Sequence, residues 1–200
     1  MGAQSISVRA PPLSATIAFS MRWITFFILL FFMYPLQISH LGAWPHGPHG
    51  NDPWPALEYL PLLAVFYALF AADNAGAITA LCCGLAYDIG NHEFAGTSMI
   101  PLTLVALLLI RIRLSIFREH ALSQFIMTLL AIFTFAFLSA LFRGLIGAPL
   151  YGRAFWPHFL HLAGNALYTA LIAPAVFRLF LRFPKLLGFS VHGARAHRLG

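Results

Sequence analysis

Asp88 is the acidic side chain hardest to place in this sequence, because it closes a stripe of Gly76, Ala80, Gly84 and Asp88 inside a strongly apolar stretch. A four-residue spacing puts these positions on one helix face, small at three levels and acidic at the fourth. A carboxylate turned towards hydrocarbon costs roughly 2 to 4 kcal/mol. The stripe is therefore expected to face protein or trapped water. Ser98 is the serine nearest Asp88 and His92 the nearest base, but nothing in the spacing makes them a nucleophile pair. His92-Glu93 lacks the second histidine of a zinc helix, and no GxSxG, HExxH or phosphate-cradling loop occurs. His158 and His161, three apart, have the spacing to bind a metal or relay protons. One turn inside an apolar run they are expected instead to hydrogen-bond backbone or interfacial water. His46, His49 and Asp52 lie among glycines and prolines that preform no ligand geometry and read as a solvated loop. Cys82 and Cys83 are adjacent, a spacing that suits neither CxxC chemistry nor a disulfide framework, and read as packing residues. The sequence thus predicts no catalytic residue, no metal site and no cofactor.

The elements that carry these residues are set by composition. Of the 200 residues 60% are hydrophobic and 9% charged, against about a quarter charged in a soluble domain. About 20 apolar residues cross a bilayer, so the length suits an all-α polytopic membrane protein with about six transmembrane helices. The expected spans are 23–39, 57–72, 75–89, 97–110, 121–142 and 156–181, within a membrane domain covering 21–183. A flexible lead over 1–20 precedes it and a basic tail over 184–200 follows. The first span is expected to be retained rather than cleaved as a signal peptide, with Pro35 kinking it. Asp73-Asn74 is expected to form a tight turn. The third span, 15 residues or about 22 Å, is short against a core of about 30 Å. Either Asp88 therefore lies in the outer part of the membrane, or 90–98 dips inward. Arg111, Arg113 and Arg118 alternate with apolar residues, as in a helix lying at the interface against lipid. Ala140, Gly144 and Ala148 are spaced for close helix contact.

The net charge of +6 is topological rather than a nucleic-acid signal. With six spans and both ends inside, Arg9, Arg22, Arg111, Arg113, Arg118, Arg178, Arg182, Lys185, Arg195 and Arg198 are cytoplasmic. Only Arg143 and Arg153 of the 12 basic residues fall outside, which predicts N-in and C-in. Asp88 and Glu93 then face outward.

The run Gly84-Leu85-Ala86-Tyr87-Asp88, followed by Gly96 and by an apolar span ending in Arg111 and 114–118, resembles the MreD family of rod shape-determining proteins. Leu36-Gln37 at the close of the first span and Trp54-Pro55 before the second are similar echoes, and the likeness covers about 23–182. In two places the chain departs from the family pattern. His92 stands where that pattern has a glycine four residues after the aspartate, and 71–76 lacks the usual basic residue. The resemblance implies a non-catalytic inner-membrane subunit of the bacterial elongation machinery. Its partners would be an MreC-like scaffold, an MreB-like filament and the wall-synthesis enzymes. Gly76, Ala80, Gly84, Asp88 and Gly96 would form its helix-binding motif. A rival expectation is the small-molecule-binding subunit of a vitamin transporter, with Asp88 and aromatic residues lining an outward pocket.

Overall fold

A computed structural model describes residues 23–39, 55–71, 73–92, 94–112, 121–146 and 155–182, with backbone alone at 73 and 155–159. The lead 1–20, the loop holding His46, His49 and Asp52, Glu93, Arg113, Arg118, Ala148 and the tail 184–200 lie outside the described residues, as does the side chain of His158. The six apolar runs form six helices, and no strand occurs among the described residues. The helices are α1 (Trp23–Ile38), α2 (Tyr59–Phe70), α3 (Asp73–Gly90), α4 (Met99–Ile112), α5 (Ala121–Leu145) and α6 (Phe155–Leu181).

Two boundaries correct the sequence reading. Asp73 and Asn74 are the first turn of α3 rather than a separate turn. With 18 residues, about 27 Å, α3 is not the shortened helix; α2, with 12 residues or about 18 Å, is. α4 starts two residues later than expected because 96–98 are drawn to Asp88, as described below.

α2 is the axis of the bundle. Its residues from Leu60 to Leu69 are all buried, which a helix apolar on every side requires. α3 and α4 pack on it as a hairpin, α5 and α6 form a second close pair, and α1 flanks α2 and α3. The Phe66 ring sits 5.4 Å from that of Phe177 and 5.0 Å from that of Phe180, fastening α2 to α6. Phe26 meets Tyr67 edge-on at 5.3 Å, fastening α1 to α2. Pairs of this kind contribute about 0.5–1.5 kcal/mol beyond area burial. The perimeter is the reverse of a water-soluble surface: Ile24, Phe31, Leu104, Leu108, Leu122, Leu130, Leu160 and Leu171 are all exposed. Apolar surface this continuous marks contact with lipid or protein rather than water. α5 and residues 160–181 are long and apolar enough to cross a membrane, and α1, α2 and α4 are shorter apolar helices.

The antiparallel order gives the bundle two chemically different ends. One carries Arg111, Arg178 and Arg182, all exposed in or just after last turns. The other gathers Gln37, Glu58, Tyr87, Asp88, Arg143 and Asn165 and is called here the capped end.

Candidate functional site

α3 places Asp88 one turn beyond Gly84, where the helix is about to stop. Asn91 N–H donates to the Tyr87 carbonyl (3.1 Å) and His92 N–H to the Ile89 carbonyl (3.3 Å), and His92 then takes φ +54°. This is the left-handed residue that commonly ends a helix, a place usually filled by glycine. Histidine tolerates the region better than most residues but still pays for its Cβ. The His92 side chain is exposed, so His92→Gly removes little packing. It is expected to stabilise the protein by up to about 1 kcal/mol and to raise Tm by a few degrees. A lower melting point in micelles would show that the imidazole matters more than the backbone.

The chain then turns back so that its amides converge on the carboxylate. Asp88 Oδ2 accepts the N–H groups of Gly96 (2.8 Å) and Met99 (3.2 Å), and Oδ1 accepts that of Ser98 (2.7 Å). Gly96 has φ +109°, a conformation that side chains rarely adopt, so the turn that aims its N–H requires glycine. Thr97 donates through N–H (3.1 Å) and hydroxyl (2.8 Å) to the Phe94 carbonyl, closing the loop. Asp88 is 1% exposed, and its negative charge sits on the N-terminus of α4, where unpaired N–H groups and the helix dipole favour an anion. It is the N-terminal cap of α4, supplied not by the residue before the helix but by the helix before it.

The rest of the stripe makes that approach possible. A Cβ at Gly84 would stand 2.5 Å from Met99 Cα and 3.0 Å from Met99 N, so α4 begins against a bare backbone. Ala80 is fully buried. A Cβ at Gly76 would stand 3.1 Å from Ala68 Cα and 3.2 Å from both the Tyr67 carbonyl oxygen and Ile110 Cδ1, where α3 crosses α2 and α4. Gly84, Asp88 and Gly96 are thus brought together at the start of α4, while Gly76 packs at the far end of α3 against α2 and Ile110 of α4.

The other candidates are scattered. Arg111 is exposed in the last turn of α4, at the far end from Asp88. Ser98 spends its N–H on Asp88, and its buried hydroxyl has no hydrogen-bond partner among the described residues. His92 points to the surface, so the two do not form a reactive pair. Among the described residues no three His, Cys, Asp or Glu side chains converge on a metal-sized site, and Cys82 and Cys83 are free thiols.

A second polar cluster at the capped end was not singled out from sequence. Gln37 Oε1, from α1, accepts the N–H groups of Tyr59 (2.8 Å) and Leu60 (3.3 Å), so α2 too is capped by the helix before it. Gln37 Nε2 donates to Glu58 Oε2 (3.2 Å), and Asn165 Nδ2 of α6 reaches Glu58 Oε1 (3.4 Å). Tyr87 is hydrogen-bonded to the same carboxylate, and the Arg143 guanidinium lies within its electrostatic reach. Asn165 Oδ1 accepts Ala56 N–H (2.9 Å) and Thr169 Oγ1 accepts Glu58 N–H (3.1 Å). The signal was present: Gln37 and Asn165 are amides inside apolar runs, where a polar group needs a partner.

The fold and its sites define a class, a helical bundle with an apolar exterior in which Asp88, Gln37, Glu58 and Asn165 spend their polar atoms on joining its own helices. The chain belongs to the MreD family, since the model for rod shape-determining protein MreD matches residues 17–183. That family is membrane-associated, in keeping with the apolar perimeter. No curated protein and no solved structure matches the chain.

Proposed function

We propose that this protein is a non-catalytic integral membrane scaffold of the bacterial cell-elongation machinery. It links an MreC-like protein, and through it an MreB-like filament, to peptidoglycan synthesis. In this reading all six helices span the inner membrane with both termini cytoplasmic. Arg111, Arg178 and Arg182 then stand at the cytoplasmic face, as the positive-inside rule favours, and the capped end faces outward. The observation that carries the reading is the use made of Asp88. A carboxylate kept for catalysis or ligand capture needs open coordination, whereas both oxygens here are occupied by N–H groups of the same chain. The motif builds a rigid hairpin whose loop carries an outward Phe94 side chain, 72% exposed.

Depleting the protein from rod-shaped cells should give spheres, and re-expression should restore rods and recover an MreC-like protein by co-purification. Rods that persist through depletion, with nothing co-purifying, would refute the scaffold reading.

A further inference from the structure

Glu58 takes no part in the Asp88 cap, and an ionisable side chain enclosed by polar partners from three other helices is a reason to look for a role. Its environment differs from that of Asp88 in one respect. Asp88 is satisfied by backbone of the next helix, whereas Glu58 is satisfied by side chains from α1, α3 and α6. Side chains can let go one at a time.

α1 is the helix that such a release would free. Phe26 is its single fully buried residue, whereas ten of the 12 residues of α2 are buried. From its start to Tyr34 it is held by Phe26 against Tyr67 and by the half-buried Leu29, Leu30, Met33 and Tyr34 on the core. At the other end it is held by Gln37 on Tyr59, Leu60 and Glu58. Between them lies Pro35, two residues before Gln37, whose missing N–H removes one backbone bond of the helix and makes a pivot. The last turn of α1 also leans on a bare backbone: a Cβ at Gly90 would stand 3.2 Å from Ile38 Cγ1 and 3.3 Å from Tyr34 Cε2.

We propose that Gln37 and Glu58 form a latch that fastens the end of α1, and that opening it about Pro35 is a step in the work of the scaffold. The Asp88 hairpin stays in place when it opens, because no bond of that cap involves α1. The inference rests on the scaffold reading and on the capped end facing outward.

The test uses the full chain with Cys82 and Cys83 replaced by alanine and cysteines placed at 38 and 90. Their Cβ atoms then fall near the separation of about 3.5–4.5 Å that a disulfide needs. On purified protein, adding Gln37→Leu should lower the yield of the 38–90 crosslink at least about fivefold, and an unchanged yield would overturn the latch. Should the leucine variant fail to accumulate, Gln37→Asn, one methylene too short to reach Tyr59 N–H, is read in the same way. In cells, protein fully locked by the 38–90 disulfide should fail to support rods until a reductant opens it, with the single-cysteine Ile38→Cys protein as the control. Undiminished rods with complete crosslinking would overturn the opening step while leaving the scaffold reading intact.

Discussion

Asp88→Ala is expected to destabilise the protein by about 4 kcal/mol or more and to abolish rod-shape complementation. Hydrogen bonds to a charged acceptor are worth about 1.5–3 kcal/mol each, and Gly96, Ser98 and Met99 all donate to this carboxylate. The loss is worse than three missing bonds, since the freed N–H groups sit in a buried turn where a helix start needs partners. Against a total stability of about 5–15 kcal/mol, that is enough to unseat α4. Asp88→Asn keeps one acceptor oxygen but turns an NH2 group towards backbone donors, so it should fall between alanine and the parent. Urea unfolding in mixed micelles reads the energies, and cell shape reads the consequence. An alanine variant as stable as the parent, giving normal rods, would contradict both.

Gly84→Ala is expected to cost nearly as much, although it adds a single methyl group. A Cβ there would lie 2.5 Å from Met99 Cα, 3.0 Å from Met99 N and 3.1 Å from the Ser98 carbonyl oxygen. All three are backbone atoms, and no rotamer change can move them aside. Overpacking of this kind costs about 1–3 kcal/mol. Here α4 must also retreat from the carboxylate, which adds part of the hydrogen-bond loss. The two substitutions therefore act on one event, and the double variant Gly84→Ala/Asp88→Ala should be little worse than Asp88→Ala alone. Gly76→Ala is the contrast, since its nearest contacts are 3.1–3.2 Å and one of them is the flexible end of Ile110. It should cost about 1 kcal/mol. Equal costs at 76 and 84 would show that the tight start of α4 is not what the glycine permits.

Much of this was legible in the sequence, for identifiable reasons. The apolar runs announced the helices, and the four-residue recurrence of small residues before Asp88 announced a close helix contact. Periodicity does not say what lies opposite a face, however, so the stripe carried no information that α4 itself fills it. The Asp73 start of α3 was obscured because Asp-Asn reads equally well as a turn or as the opening of a helix, and tertiary packing decided. The Glu58 cluster was hidden for a different reason. Its members come from positions 37, 58, 87, 143 and 165, and no local pattern joins residues more than 100 positions apart.

Amide hydrogen exchange across residues 94–103, compared between the parent and Asp88→Ala in nanodiscs, reads the cap most directly. Slow exchange in the parent at Gly96, Ser98 and Met99, lost in the variant while α5 and α6 keep their protection, is the expected result. Equal protection in both proteins would mean that Asp88 does not hold the start of α4.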